Sequence, residues 1–498
     1  MRFAAGALVL ALLMVYPDGS ERRVWGQQQA AASQSGGPET VFVDPADGGD
    51  SGGSPLPEAL RKRLIERLTD SRKFRIVGDT GAAEVVLQVR TVVWATGTVT
   101  LNPRSQGGSF TNYQGYATAY LYGGGLNGSG DTGRGHLLWT YLATPRGFRF
   151  HGIVDDLAAQ IAAEMERTLA GGFRVGGGNG LEVAGATFPA PLYLKWFESF
   201  EHRPGGVPMT YDAVGSVKGL EELRAGGIDM AASDIPAGNG AGSDLVRVPS
   251  VAGAIVPIYN FRPGGKANGG TEGASVGSLN LTGELLAGIY SGKIKMWDDP
   301  GIAAANRGIG ARERLPHAGI AVVHRSDGSG TTFVWTSFLA QADAAWKDRA
   351  AATVDWPTGT GAAGNEGVAE AVARTPNSIG YVELAYAIQH HLRYAAVRNP
   401  AGRYVKASLD TVNAAAASAG SAANAPILNS PGKDAYPIAT FTWLVVPRNF
   451  GEAGKYASVK AFLRWMLTSG QRQCAELGYA PLPKELAGEE LRVVEGWK

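Results

Sequence analysis

The sequence predicts an α/β protein, with one large alternating β/α region and a smaller α/β unit ahead of it. Three observations carry this expectation. From Leu181 onward, short apolar runs alternate with stretches of helical period, the pattern of a largely parallel sheet covered by helices. A glycine-rich run at 176–180 separates that region from an earlier strand–helix–strand pattern. The 498 residues leave room for two or three domains, each able to bury a core. No fixed-period repeat is visible.

In the smaller unit, residues 40–43 read as a strand and 57–68 as a helix, with Leu60, Leu64 and Leu68 on one stripe and Pro57 near the first turn. Strands follow at 74–77 and 85–94. In the second, Val85, Leu87, Val89 and Val93 face one way while Gln88 and Arg90 face the other. Residues 117–122 and 136–142 pair around the glycine-rich 123–135. A helix at 153–169 sets Leu157, Ile161, Met165 and Leu169 on one face and stops at Gly171-Gly172. Beyond Leu181, strands are expected at 227–232, 254–259, 321–324 and 442–447. Helices are expected at 189–200, 219–225, 283–290, 332–342, 367–374, 383–387 and 456–468. Asn280-Leu281-Thr282 reads as a helix start at Thr282 rather than a glycosylation site.

Composition removes several function classes. Lysine plus arginine (46) balances aspartate plus glutamate (45), so bulk charge gives no reason to expect a nucleic-acid partner. Cys474 is the only cysteine, which rules out an intrachain disulfide and a cysteine metal cluster; it is expected as a small apolar residue of a C-terminal helix. His390 and His391 are adjacent and diverge on a helix, and no H-E-x-x-H spacing occurs, so neither a metal nor a cofactor is expected. Arg2 and the apolar run 3–16 fit a secretory signal too short to span a bilayer. Residues 27–37 and 47–54, rich in Gln, Ala, Ser and Gly, read as linker. The expectation is an exported, soluble protein without a lipid-anchoring cysteine.

The densest chemistry lies at 322–333, Val-Val-His-Arg-Ser-Asp-Gly-Ser-Gly-Thr-Thr-Phe. A short strand delivers Arg325, a turn of Asp, Gly, Ser and Gly follows, and a helix opens at Thr331. Amide groups at a helix start have no partner inside the helix, and the dipole favours negative charge there. A glycine-lined turn lets an anion approach them. Arg325 adds a forked, permanently charged donor, and Ser329, Thr331 and Thr332 add hydroxyls. The segment fits an oxyanion socket and, equally, a plain turn capped by Ser329. It lacks the lysine of a P-loop, and Asp327 replaces the first glycine of a nucleophile elbow.

Further segments align in order with this one: 185–193 (GATFPAPLY), 211–216 (YDAVGS), 228–236 (IDMAASDIP), 292–297 (GKIKMW), 356–361 (WPTGTG) and 379–386 (IGYVELAY). Together they closely resemble the periplasmic phosphate-binding proteins of high-affinity phosphate ABC transporters, the PstS type, over residues 181–498. The resemblance implies a type II periplasmic-binding-protein fold of two lobes joined by a hinge, with lobe 1 at about 181–260 and 437–498 and lobe 2 at about 261–436. Residues 1–37 are then signal peptide and linker, 38–172 a separate small α/β domain, and 173–180 a glycine-rich linker. It implies that Ala186, Thr187, Phe188, Ser216 and Asp234 on one lobe and Arg325, Ser329, Gly330 and Thr331 on the other hold phosphate. No reaction is implied; the partners are inorganic phosphate and an inner-membrane ABC permease.

Asp234 is the telling member of that set. An ionised carboxylate only accepts, so it suits an anion that carries a proton, as phosphate does and sulfate does not. Standing alone, Ser233-Asp234 reads as a turn cap before Pro236. Asp327 is expected to hold the fork of Arg325. Val217 and Lys218 depart from the small residues usual in the family after Ser216; Val217 adds bulk at the cleft, and Lys218 reaches either the anion or solvent. Residues 38–172 show no nameable chemistry and suit a structural or partner-binding role. The alternative function is therefore an envelope phosphate sensor or scaffold, in which that domain docks an unknown envelope protein.

Overall fold

The computed structural model describes residues 39–44, 56–79, 82–100, 109–123, 136–144, 150–170, 180–236, 244–261, 279–307, 315–418 and 423–497. The signal-like segment, the linkers at 27–37 and 47–54, and positions 176–179 of the glycine run lie outside these residues.

The smaller unit contains β1 (Glu39–Val43), α1 (Leu56–Asp70), β2 (Phe74–Ile76), β3 (Val85–Thr100), β4 (Ser109–Gly123), β5 (His136–Ala143) and α2 (Phe150–Ala170). Its sheet runs β2-β1-β3-β4-β5. β1 is parallel to β2 and β3, and β4 is antiparallel to β3 and β5, so the pairing expected around the glycine-rich loop is present. Both helices cover one face. Leu60, Leu64 and Leu68 of α1 and Leu157, Ile161 and Met165 of α2 bury against Val41, Val43, Leu87 and Val89. Helical spacing of 3.6 residues and strand spacing of two bring these positions to the same layer.

The opposite face departs from expectation. Gln88, expected to point outward, is buried, as are Val86, Thr118, Tyr120 and Tyr122. Thr140 and Leu142 lie directly across from Tyr120 and Thr118, and so share this face. Leu142 belongs to the apolar core of the larger region, and Thr140 Oγ1 accepts the Tyr211 amide at 3.3 Å. Arg167 of α2 pairs with Glu201 at 3.1 Å. The two regions thus share packed surface at β5, while Val86, Tyr120 and Tyr122 pack with Ala83, Phe42, Val77 and Leu137 in a cluster of the smaller unit's own.

The larger region begins with β6 (Leu181–Gly185), α3 (Ala190–Glu201), β7 (Met209–Asp212), α4 (Ser216–Arg224), β8 (Met230–Ser233) and β9 (Leu245–Asn260). It continues with β10 (Asn280–Leu281), α5 (Gly283–Tyr290), α6 (Pro300–Ala305), β11 (Ala321–Arg325), α7 (Gly330–Ala342), β12 (Thr360–Ala362), α8 (Gly364–Arg374), β13 (Ser378–Glu383) and α9 (Leu384–Gln389). The last part holds β14 (Arg393–Tyr394), β15 (Ala396–Arg398), β16 (Tyr404–Val405), α10 (Leu409–Ser418), β17 (Ile427–Leu428), β18 (Ile438–Pro447), α11 (Ala453–Thr468) and α12 (Lys484–Glu495). As expected, Thr282 caps α5 by accepting the Leu285 amide. Cys474 is buried, but it lies between two 3₁₀ turns rather than within a helix.

The main sheet runs β12-β11-β13-β9-β18-β8-β6-β7. It is mixed rather than largely parallel. β7-β6-β8 and β12-β11-β13 are parallel trios, but β9 and β18 pair antiparallel with each other and with the adjoining trio. This is the two-lobed type II binding-protein architecture. β9 and β18 are long because each crosses from one trio to the other, and β18 is buried along nearly its whole length. A register shift between Thr442 and Trp443 interrupts the β9–β18 ladder; such a bulge re-aims a side chain.

The shared surface between the two regions generates a prediction. Leu142 is 1% exposed, and truncating a buried leucine costs roughly 2–5 kcal/mol. Leu142→Ala should lower the urea midpoint of the unfolding transition followed by tryptophan fluorescence, which is dominated by the larger region. A midpoint that shifts only in a separate, earlier transition of the smaller unit would show that the two unfold independently.

Candidate anion-binding site

Two parallel strands of one lobe and one of the other end at the same place, and helices start there. β6 leads through Ala186–Pro189 into α3, β7 through Gly215 into α4, and β11 through the Asp327 turn into α7. The carboxyl ends of parallel strands are where α/β folds bind ligands. α8 adds a fourth helix start: the Asn365 amide donates to Thr187 Oγ1 at 3.2 Å and the Gly364 amide to Asp327 Oδ1 at 3.0 Å. Each helix start carries roughly +0.5 of an elementary charge.

The backbone between β6 and α3 is fixed from behind by three buried tyrosines. Tyr211 donates its hydroxyl to the Ala186 carbonyl, Tyr386 to that of Thr187 at 2.6 Å and Tyr479 to that of Phe188 at 2.7 Å. A peptide unit is planar and trans, so tying down one carbonyl turns the next amide the other way. The Thr187 and Phe188 amides thereby face away from the tyrosines, and among the described residues they donate to no protein acceptor. The same holds for the Ser216 and Thr331 amides at the starts of α4 and α7.

Hydroxyl groups complete the donor set. A hydroxyl has one proton and two lone pairs. Ser216 Oγ accepts from the Gly330 amide at 3.2 Å and the Asp234 amide at 3.3 Å. Thr187 Oγ1 accepts from the Asn365 amide and from Asn365 Nδ2 at 2.9 Å. Ser329 Oγ caps α7 by accepting the Thr332 amide at 3.1 Å. With both lone pairs filled by N–H groups, the Ser216 and Thr187 hydroxyls have only their protons left to offer, while Ser329 keeps its proton and one lone pair.

Arg325 is 3% exposed. Its Nε donates to Asp327 Oδ1 at 2.7 Å and its Nη2 to Asp327 Oδ2. Asp327 therefore holds the fork as expected, and the Arg325 guanidinium keeps its carboxyl below the usual range against the opposing effect of burial. Arg325 Nη1 is buried and has no acceptor. Leaving such a donor unpaired costs about 1–3 kcal/mol or more, so the site calls for an acceptor at that position.

Asp234 breaks the pattern of donors. It is 1% exposed, and Thr442 Oγ1, beside the β18 bulge, donates to its Oδ1 at 2.7 Å. Burial pushes its carboxyl up to about 7, opposed by the Thr442 bond and the Arg325 charge. The group is poised to gain or lose a proton near neutrality.

The structure thus brings together all nine expected residues, but not all as direct donors. Ala186 is a correction: its amide donates to the Ala232 carbonyl at 2.9 Å within the sheet, so it has no proton to offer an anion. Gly330 spends its amide on Ser216; a Cβ there would lie 2.6 Å from Asp234 Cβ, so the position serves close approach of the two lobes. The Ser329 amide is likewise spent, on the Ala352 carbonyl at 2.9 Å, leaving its hydroxyl. Val217 does not block the cleft. Its side chain fills the space left by Gly328, where a Cβ would meet it at 2.7 Å, and its amide donates to the Gly328 carbonyl at 3.3 Å. Lys218 is half-buried one helical turn before Glu222, whose burial-raised carboxyl it offsets. Sequence reasoning missed Asn365, Thr442 and the three tyrosines as a group. Tyr211 and Tyr386 sit inside aligned motifs, but nothing in those motifs says which way a tyrosine points.

A family model described as the PBP superfamily domain matches residues 159–469. The phosphate-binding protein PstS of Pasteurella multocida is 39% identical over 311 residues, which cover 61% of this chain and 86% of that protein. The chain belongs to the PstS family. PstS of Xylella fastidiosa (strain Temecula1) is 37% identical over 311 residues, covering 61% of this chain and 81% of that protein. PstS of Methanocaldococcus jannaschii is 34% identical over 363 residues, covering 64% and 90%. Residues 39–158 lie outside the family match.

Gly330 gives a direct test of lobe approach. Gly330→Ala places a methyl group against Asp234 and Ser216 while suiting a helix start, so the folded state should lose little stability. Anion affinity should fall at least tenfold by calorimetry, about 1.4 kcal/mol, and small-angle scattering should show a wider particle at saturating anion. Wild-type affinity with the alanine in place would show that the lobes do not need this contact.

Proposed function

We propose that this PstS-family protein captures inorganic phosphate in the periplasm and delivers it to an inner-membrane ABC permease, catalysing no reaction itself. The observation that carries the reading is a buried cluster, among the described residues, with one unpaired guanidinium nitrogen, four free amides at helix starts and two hydroxyls, of Ser216 and Thr187, restricted to donation, set beside one carboxyl that can accept. Thr187, Phe188, Ser216, Ser329, Thr331 and Arg325 are the proposed donors, and Asp234 the proposed acceptor. The PstS relatives are named for phosphate binding, and the donor-plus-single-acceptor arrangement fits that ion.

Phosphate satisfies such a site because it brings both negative oxygens and a proton. Sulfate brings oxygens alone and leaves ionised Asp234 facing like charge without a hydrogen bond. The alternative reading, an envelope sensor or scaffold docking through residues 38–172, has no specific observation in its favour. On the helix-free face of that sheet, Thr140 and Leu142 contact the larger region.

The charges separate by role. Arg325→Ala should weaken phosphate binding by roughly 2–5 kcal/mol, whereas Lys218→Ala should change affinity little and mainly alter the encounter rate and its salt dependence. A larger loss in Lys218→Ala would make Lys218 a direct ligand and displace it from the Glu222 side of α4.

Asp234 sets a pH dependence of known sign. A carboxyl with a value of about 7 is protonated below that pH, where it donates to sulfate, and ionised above it, where it repels sulfate. Sulfate affinity should fall roughly tenfold per unit as pH rises above that value, while phosphate, carrying its own proton, shows a much flatter profile. Asp234→Asn should abolish the sulfate profile and shrink the phosphate-to-sulfate ratio at pH 8.5 by roughly ten- to a hundredfold. Competition calorimetry at several pH values decides it; an unchanged ratio would return Asp234 to the role of a turn cap.

A further inference from the structure

We propose that Asn365 is the positioning residue that latches the two lobes together, forces Thr187 to act as a donor and turns the Thr331 hydroxyl proton away from itself; this rests on the phosphate-binding reading above. Asn365 is fully buried at the start of α8. Its Oδ1 accepts the Glu383 amide at 2.9 Å. A backbone amide can only donate, so this contact fixes which end of the side-chain amide is oxygen. The NH₂ group must then face the two threonines. It donates to Thr187 Oγ1 of the first lobe at 2.9 Å and to Thr331 Oγ1 of the second at 3.4 Å.

One side chain therefore joins three structural parts: the loop after β6, the start of α7, and the end of β13 where the chain turns into α9. Together with the Asn365 backbone amide at 3.2 Å, the side chain fills both lone pairs of the Thr187 hydroxyl. It fills one on Thr331. The hydroxyl protons of both threonines are left for an acceptor other than Asn365. A residue that could only accept here would do the reverse and draw both protons toward itself.

That reversal supplies the test. Phosphate affinity, dissociation rate and scattering radius are measured for wild type, Asn365→Ala and Asn365→Asp between pH 5 and pH 8.5, each value taken relative to wild type at the same pH. Asn365→Ala removes the latch but leaves the hydroxyls free to donate, so affinity should drop about tenfold, chiefly through faster release. Asn365→Asp puts an acceptor against both hydroxyls, so at pH 8.5 the loss should exceed that of alanine by a further tenfold or more. The excess should shrink toward pH 5 as the introduced carboxylate takes up a proton and becomes able to donate. Equal, pH-independent losses in the two variants would overturn the donor-forcing role, because a merely structural asparagine predicts no such profile. Asn365→Ser, smaller and uncharged, replaces either variant that fails to fold, with a loss close to that of alanine expected. In the absence of phosphate, Asn365→Ala should also show a larger scattering radius than wild type; an unchanged radius would overturn the latch. If wild type itself gives no heat with phosphate, the phosphate reading fails, and the scattering comparison still judges the latch.

Discussion

An anion taken out of water can be held only by groups that donate, and the architecture of this clamp follows from that constraint. Four helices begin at one buried point, which supplies partial positive charge without mobile counter-ions. Only one full positive charge, on Arg325, enters the site, and Asp327 consumes two of its donor positions while fixing its plane. The ion pair thus gives direction rather than surplus charge. A lysine at that position would lose the fork and with it the single remaining nitrogen that points where it must.

Hydroxyl groups are ambivalent, and the fold removes the ambivalence. Gly330 and Asp234 fill the acceptor side of Ser216, and Asn365 fills that of Thr187. The same economy governs the backbone of the Ala186–Phe188 loop, where the tyrosines occupy the carbonyls and turn the amides outward. Among the described residues of the site, Asp234 stands out as the carboxyl not spent on Arg325, and burial pushes it up to about 7. Under the proposed phosphate reading, selectivity arises from one group's protonation, since phosphate and sulfate are alike in size.

Much of the site was legible because its residues lie in contiguous motifs at strand-to-helix turns. Arg325, Asp327 and Ser329 could be given roles from the turn alone, and the structure gives Asp327 and Ser329 those roles. What could not be read was the use of each amide. Nothing local distinguishes Ala186, whose N–H continues the sheet to Ala232, from Thr187, whose N–H does not. Asn365 escaped because its three partners come from positions 187, 331 and 383, and only the folded chain brings them together. The fold shows the same division. Helices and strands with a clear period were found within a few residues, while the antiparallel pairing of β9 and β18 was missed because apolar strands buried on both faces look alike whichever way they run.

The smaller unit shows how an outward-looking strand pattern can mislead. Gln88 alternates with apolar neighbours, yet it is buried; its Nε2 donates to Asp44 Oδ2 at 3.2 Å, while its Oε1 has no partner among the described residues. The face it shares meets the region around β7 and α3, the elements on which the Ala186–Phe188 loop depends. Thr140 holds the amide of Tyr211, and the hydroxyl of Tyr211 holds the Ala186 carbonyl. A chain of two hydrogen bonds therefore runs from the smaller unit to the backbone that presents the Thr187 amide. Arg167, tied to Glu201, grips the far end of the helix that starts there. These contacts fall on the first lobe, and β3 also packs against α9, the helix that follows β13 of the second trio, so the smaller unit touches both halves of the clamp.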